Sequence, residues 1–318
     1  MELTMNSKPI RQIILLGPTA VGKTNLSIGL AERLKTSIVS VDARQSYRFL
    51  DIGTAKVNIE QRKQIPHFNV DSLDPLDSDS PFAFLERIQQ WDAEHCQAHP
   101  NTPLVYVGGS PLYLSSLING LDPMPKANPA RVIQLKEQAR TEGIEILYEK
   151  LIRVDADYAR KMDGLNPQRI IRALDVYYET GKPFSSFHSN KSARCPNDTL
   201  VFGLNRPRSC LYERIEKRVD HMMQQGLVDE VRGLLQKGYS LENQALQTVG
   251  YSEIISHLNG ELSLEEAVEK IKTHTRRYAK RQETWFRKWP FIQWFYPEEQ
   301  TELEILSLIS KEIESKSN

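Results

Sequence analysis

Gly17-Pro18-Thr19-Ala20-Val21-Gly22-Lys23-Thr24 is the most informative octapeptide in the chain. Before it runs a short β-branched apolar segment, Ile13 to Leu16; after it, Asn25 to Lys35 carries Leu26, Leu30 and Leu34 at helical spacing. Strand, glycine loop and helix in that order match the phosphate-binding loop G-x-x-x-x-G-K-[ST]. Glycines let the backbone wrap so that its N–H groups converge on phosphate oxygens. The helix N-terminus adds partial positive charge, Lys23 adds a full one, and the Thr24 hydroxyl suits Mg²⁺. A glycine turn that merely packs a helix is the bland alternative.

Working outward, Ser37 to Val41 reads as a second strand ending on Asp42, Phe82 to Ala98 as an amphipathic helix, and Leu104 to Val107 as a strand running into Gly108-Gly109. This alternation predicts an α/β fold, a P-loop parallel sheet flanked by helices. A proline-rich connector, Asp122-Pro123-Met124-Pro125 with Asn128-Pro129, then changes the texture, and Ala130 to Thr180 is almost wholly helical in pattern. Thr199 to Leu204 reads as a strand returning to the sheet, followed by helices over Leu211 to Gln225, Val228 to Lys237 and Leu264 to Lys288. The expected organisation is a catalytic core of residues 1–121 and 186–318 with an inserted small helical domain over 122–185.

A nucleoside triphosphate is the default ligand of such a loop, with an acid ending a later strand to help hold the metal. Here the strand at 104–107 ends in glycines, and the acid ends the previous strand, at Asp42. In a doubly wound sheet Asp42 shares the C-terminal edge with the phosphate loop. It is placed to act as a general base for an acceptor or, more plainly, to cap the next turn.

Composition narrows the setting. The 41 basic and 41 acidic side chains cancel, so a nucleic-acid site must be a local patch. Cys96, Cys195 and Cys210 are scattered without C-x-x-C spacing, which argues against a disulfide framework or a zinc site. No run approaches the roughly 18 apolar residues of a membrane span, and the N-terminus lacks an apolar signal core. A cytoplasmic, monomeric protein with no membrane partner is expected.

Larger signatures now become specific. The phosphate loop is followed by Ser40-Val41-Asp42-Ala43-Arg44-Gln45-Ser46-Tyr47, Asp51-Ile52-Gly53-Thr54-Ala55-Lys56, Pro66-His67 and Val107-Gly108-Gly109-Ser110-Pro111-Leu112-Tyr113. Further on come Arg169-Ile170-Ile171-Arg172-Ala173-Leu174-Asp175-Val176-Tyr177, Val249-Gly250-Tyr251 and Thr275 to Arg287. In this order, across most of the chain, they resemble the tRNA dimethylallyltransferase (tRNA isopentenyltransferase) family, bacterial type. The phosphate loop is generic; Asp-x-x-Gln-x-Tyr with Asp-Ile-Gly-Thr-Ala-Lys is not.

The resemblance implies transfer of a dimethylallyl group from its diphosphate to N6 of adenine 37, beside the anticodon. It implies that Gly17, Pro18, Thr19, Ala20, Val21, Gly22, Lys23 and Thr24 bind the diphosphate, with Mg²⁺ on Thr24. Asp42 takes the proton of the adenine amine, while Thr19 and Arg218 contact the reacting end and the pyrophosphate. The tRNA anticodon stem-loop is expected to meet Asp42, Ala43, Arg44 and Gln45, then Ser110, Arg131, Pro167, Gln168, Arg169, Ile170 and Ile171. Leu246, Gln247, Thr248, Val249, Gly250 and Tyr251 follow, then Lys280, Arg281, Gln282, Glu283, Thr284, Trp285, Phe286 and Arg287.

Such a reaction needs fixed donors for charge building on the departing pyrophosphate, a base placed beside the amine, a flipped-out adenine and exclusion of water. On the long helix, Arg277, Lys280, Arg281, Thr284 and Lys288 fall along one side, with Tyr278, Trp285 and Phe286 interleaved. That suits a structured RNA loop, though a solvated basic face over core aromatics has the same pattern. Arg169 and Arg172 read either as RNA contacts or as partners for Asp175 or Glu179. His67 reads as a packed or exposed histidine.

The chain departs from the family at Ala43 (usually Ser), Phe68 (usually a second His), Ser110 (usually Thr), Pro111, which stiffens a loop, and Asp163 to Pro167. Three rivals remain: transfer to free adenine nucleotides, which has little use for the inserted domain and basic helix; a small-molecule kinase, opposed by the missing acid after Val107; and a non-catalytic RNA-binding protein.

Overall fold

A computed structural model describes residues 9–188 and 194–317. The chain separates into two compact units, Met1–Asn119 with Ala193–Asn318, and Gly120–Ser192. The first is built on six parallel strands: β1 (Gln12–Leu16), β2 (Ile38–Val41), β3 (His67–Phe68), β4 (Leu104–Gly108), β5 (Thr199–Leu204) and β6 (Gln293–Phe295), in the order β3-β2-β4-β1-β5-β6.

β1 is central because all but its first residue are buried and both its faces are apolar. Ile13 and Leu15 pack into one core with Leu26, Leu30, Val105, Phe202 and Ile215; Ile14 and Leu16 pack into the other with Val39, Phe84, Tyr106, Leu114 and Phe286. The strand register decides where the chemistry lies. Leu16 of β1 and Val41 of β2 both align with Gly108 of β4, so the chain leaves all three strands side by side. A Cβ on Gly108 would stand 2.0 Å from the Val41 carbonyl, so only glycine permits this pairing. The missing acid after Val107 therefore has a steric counterpart.

Pro111 opens the helix Pro111–Asn119 instead of stiffening a loop. Proline suits that first position, where its absent N–H has no helical acceptor. Phe68, on β3, stacks on Trp91 with ring centroids 5.3 Å apart. Two short strands (β3 and β6) and the helices Tyr251–Leu258 and Glu302–Ser317 were not expected from the sequence. Among the described residues no helix is long and apolar enough to cross a membrane, none of the three cysteines is in a disulfide, and no group of metal-ligating acids, histidines and cysteines occurs.

Among its described residues the second unit holds four α-helices, Pro129–Glu142, Ile144–Val154, Ala156–Arg160 and Pro167–Thr180, around Leu135, Leu147, Leu151, Ile170 and Leu174. Both Asn-Pro pairs start helices: the Asn128 and Asn166 side chains accept the N–H of Arg131 and Arg169. Asn128-Pro129 is thus a cap, not part of a connector.

Candidate active site

The phosphate loop is held open by its own cations. Lys23 Nζ donates to the carbonyls of Gly17 (2.9 Å) and Pro18 (2.8 Å), Arg214 Nε to that of Ala20 (2.8 Å), and Arg206 Nε to that of Val21 (2.7 Å). With four carbonyls engaged this way, the N–H groups from Ala20 to Thr24 have no acceptor among the described residues. Ala20 sits at φ 63 and Gly22 at φ 111, the left-handed turns that bring successive N–H groups to one side. Pro18 and Thr19 offer no free N–H to this cradle. Pro18 has no N–H, and the Thr19 N–H is bound to Gln282 Oε1 at 2.8 Å. Of the eight residues expected to bind the diphosphate, these two therefore have no backbone N–H free to donate.

Facing the loop is the helix Arg208–Gln224, whose Arg214, Lys217, Arg218 and His221 recur at i, i+3, i+4 and i+7. These cations, the loop and Ser40, Asp42 and His67 line a cavity of 530 Å³. Positive charge crowded together, with Asp42 opposing it, leaves its mark. The Lys23 amine is lowered to about 7, chiefly by burial, then by Arg218, with Asp42 opposing. Burial pushes the Arg218 guanidinium below its ordinary value, with Asp42 opposing and Arg214 adding to the push. Such crowding of cations suits an anion that carries more than one negative charge.

A second cavity, 460 Å³, adjoins the first and shares Thr19, Asp42, Thr54, Arg218 and Tyr278 with it. Its walls are more apolar, with Tyr113, Ile215, Val219, Met222, Val249 and Ile271, and its rim carries Arg44, Gln247 and Arg281. At the shared neck Arg218 Nη1 donates to Thr19 Oγ1 at 3.4 Å. Asp42 Oδ1 accepts the N–H groups of Arg44 (2.9 Å) and Gln45 (3.4 Å), while Oδ2 accepts no hydrogen bond from the described residues. Turn capping and an available carboxylate oxygen thus coexist in one side chain. The Tyr278 hydroxyl is pushed up to about 12, by burial first and then by Asp42, with its bond to Ser110 opposing. It stays protonated and able to donate.

The signature Asp51 to Lys56 builds the neck instead of reacting in it. Glu230 accepts the N–H groups of Asp51 (3.1 Å), Ile52 (2.8 Å) and Gly53 (3.2 Å) and the Tyr251 hydroxyl (2.6 Å). Buried Lys56 Nζ reaches the Tyr47 carbonyl (2.7 Å), Asp51 (2.6 Å) and Asp71 (2.7 Å). This clamp sets the Thr54 carbonyl 3.5 Å from Arg218 Nη2. Ser110 keeps its hydroxyl useful by accepting the Ala43 N–H at 3.2 Å.

On the helix Leu264–Phe286 and just past it, Arg277, Lys280, Arg281, Thr284, Trp285, Arg287 and Lys288 are exposed. The five cations among these have no carboxylate partner among the described residues. Lys288 lies over the Trp285 ring at 5.9 Å and Arg281 over Tyr278 at 5.8 Å. Other residues expected at RNA face inward. Ile170, Ile171, Leu246, Tyr251 and Phe286 belong to cores, Gln282 is bound to the phosphate loop, and buried Glu283 pairs with Arg208 at 3.6 Å. Their side chains are buried, and of these Gln282 also lines the first cavity. In the second unit, Pro167, Gln168 and Arg169 are exposed. Arg131 is engaged by Asp175 (3.2 Å) and Glu179 (3.0 Å), and Arg172 by Asp175 (2.9 Å), which is the plainer of the two sequence readings for Arg172.

Arg214, Lys217 and His221 were given no role from the sequence, and Tyr278 was read only as an aromatic of the basic helix. The helical recurrence of the first two and His221 about Arg218 was the available signal.

The family model described as IPP transferase matches residues 45–289. A tRNA dimethylallyltransferase of Natranaerobius thermophilus is 42% identical over 313 residues, covering 97% of this chain and 92% of that protein. The tRNA dimethylallyltransferase 1 of Bacteroides thetaiotaomicron is 42% identical, covering 93% and 95%. Among solved structures, a tRNA isopentenylpyrophosphate transferase from Bacillus halodurans superposes with TM-score 0.69 at 33% identity, covering 97% and 98%. A eukaryotic dimethylallyltransferase acting on tRNA reaches TM-score 0.79 at 26% identity, covering 97% and 80%.

Proposed function

The chain belongs to the IPP transferase family, and from that premise we propose that it is a tRNA dimethylallyltransferase that moves the dimethylallyl group of dimethylallyl diphosphate onto N6 of adenine 37 in the tRNA anticodon stem-loop. The observation that carries this reading is the meeting of two cavities at Thr19, Asp42 and Arg218. A diphosphate in the cationic chamber directs its allylic carbon into the neck, and a flipped adenine enters through the other chamber.

The residues divide the work. N–H groups of Ala20 to Thr24, with Lys23, Arg214 and Arg218, hold the diphosphate. As the C1–O bond breaks, its electron pair leaves with the pyrophosphate, whose growing charge those fixed donors stabilise. N6 of the adenine forms the new bond to C1, and Asp42 Oδ2 takes the proton released. Thr19 and Arg218 stand at the neck, beside the bond that breaks. Apolar walls around the acceptor keep water from the allylic carbon. Thr24 lines the diphosphate chamber and its hydroxyl has no side-chain partner among the described residues, an oxygen donor that would suit Mg²⁺. That ion supplies charge neutralisation of the leaving pyrophosphate.

The exposed cations from Arg277 to Lys288 and exposed Gln247 are the contacts that best fit RNA phosphates and bases, with Pro167, Gln168 and Arg169 from the second unit. One chain supplies both cavities, which supports a monomer, and the free cysteines suit a reducing cytoplasm.

The test is incubation with labelled dimethylallyl diphosphate and, separately, an anticodon stem-loop or AMP. Label on N6 of the stem-loop adenine supports the reading. Label on AMP alone moves the assignment to free nucleotides, and transfer of a γ-phosphate from ATP with no prenyl transfer replaces it with a kinase.

A further inference from the structure

The helix that offers cations to RNA also reaches into the phosphate loop. Arg277, Lys280, Arg281 and Thr284 face outward, whereas Gln282, 2% exposed, turns inward. Its Oε1 accepts the Thr19 N–H at 2.8 Å and its Nε2 donates to the Gly109 carbonyl at 2.6 Å. One partner is a backbone donor and the other a backbone acceptor, so the amide orientation is dictated. Residue 109 accommodates the side chain by being glycine: a Cβ there would lie 2.5 Å from Gln282 Nε2 and 3.0 Å from the Gly17 carbonyl. A single side chain thus joins the basic helix to the loops that follow β1 and β4.

We infer that Gln282 is a positioning residue for transfer, holding Thr19 at the neck so that the helix facing RNA also sets the geometry of the phosphate loop. This rests on the prenyl-transfer reading given above. Thr19 has no other fixed anchor for its N–H, and its hydroxyl meets Arg218. Release the amide, and the Thr19 peptide is free to turn while the neck loses its Thr19–Arg218 hydrogen bond. Gln282 also lines the first cavity, and the role inferred for it runs through Thr19.

Gln282→Glu gives a test that a purely structural role does not pass. One carboxylate oxygen still accepts from Thr19, but the other meets the Gly109 carbonyl and is repelled unless protonated. Burial raises the pKa of the introduced carboxyl, and its protonated form restores both bonds. The ratio of variant to wild-type kcat, measured with dimethylallyl diphosphate and an anticodon stem-loop from about pH 6 to about pH 9, should therefore fall as pH rises, by on the order of tenfold or more. Stem-loop affinity, carried by the outward cations, should stay within about twofold. A ratio that stays flat with pH overturns the inference and leaves prenyl transfer standing. A wild type with no transfer removes the underlying reading instead.

Gln282→Met keeps the volume and deletes both bonds, so it decides the matter should the glutamate variant not fold. A reduced kcat with unchanged stem-loop affinity supports the inference, and wild-type kcat overturns it.

Discussion

Asp42 lines both cavities; its Oδ1 accepts the Arg44 N–H at 2.9 Å and so closes the turn that follows β2, while Oδ2 has no hydrogen-bond partner among the described residues. Structural and chemical duties are split between two atoms of one side chain, so two substitutions should separate them. Asp42→Asn keeps an oxygen to cap the turn but removes the base. It should lower transfer by about 10²- to 10⁴-fold with little change in thermal stability. Asp42→Ala should lose a similar factor in rate and in addition about 1 kcal/mol of stability. Single-turnover transfer and thermal unfolding of both variants check this; wild-type rates for Asp42→Asn remove Asp42 from the chemistry.

Lys23 supplies a pH signature. Its amine titrates at about 7 in the unliganded protein because burial and Arg218 disfavour the charged form. A bound diphosphate reverses that balance and raises the pKa toward its ordinary value. Binding above pH 7 should therefore take up protons, seen in calorimetry as a heat that varies with buffer ionisation enthalpy, and Lys23→Met should abolish the variation. The same shift acts on folding. Between about 7 and the unfolded value of 10.5 the unfolded chain binds more protons, so unliganded stability should rise with pH across that window and lose this contribution below it.

Much of the site was legible because its parts sit at the ends of elements. The phosphate loop is contiguous in sequence, and Asp42 ends a strand in a sheet whose order places it beside that loop. Direction around a helix was harder. Gln282 and Glu283 lie inside a basic run and read as RNA contacts, yet Ala279, Gln282, Glu283 and Phe286 recur at i, i+3, i+4 and i+7 and form the buried face. The charged run masked that period. Lys56 shows the opposite limit: nothing local reveals that its amine is satisfied by Tyr47, Asp51 and Asp71, because two of the three bonds close loops through the fold. The β6 strand is three residues long and exists through its register with Phe202 to Leu204. So short an apolar stretch carries no period of its own.

The exposed cations should act on RNA and not on the small substrate. Arg277, Lys280 and Arg281 have no carboxylate partners among the described residues, so their removal strands no buried charge. Each change to Ala should weaken stem-loop binding and reduce the slope of log affinity against log salt by about one for every phosphate left without its cation. Affinity for dimethylallyl diphosphate should hold. Binding titrations over a salt series measure both. An unchanged slope in the triple variant places the RNA elsewhere.

Gly53 tests whether the clamp under the neck is as tight as its hydrogen bonds imply. A Cβ there would stand 2.5 Å from Tyr251 Cε2 and 2.7 Å from Cζ. The ring cannot retreat, because Tyr251 is fully buried and its hydroxyl is bound to Glu230 at 2.6 Å. Gly53→Ala should therefore cost about 1–3 kcal/mol of stability through overpacking. It should also lower transfer, since Thr54 is displaced from Arg218. Gly233 is the matched control: it lies in the helix Leu227–Gln236 and an added Cβ meets nothing within 4 Å. Gly233→Ala should instead gain about 0.4–1 kcal/mol from the reduced entropy of the unfolded chain. Denaturant midpoints for the two variants should move in opposite directions. A Gly53→Ala midpoint equal to wild type would mean that the ring and the loop beneath it yield, and the clamp would then lose its claim to fix the neck.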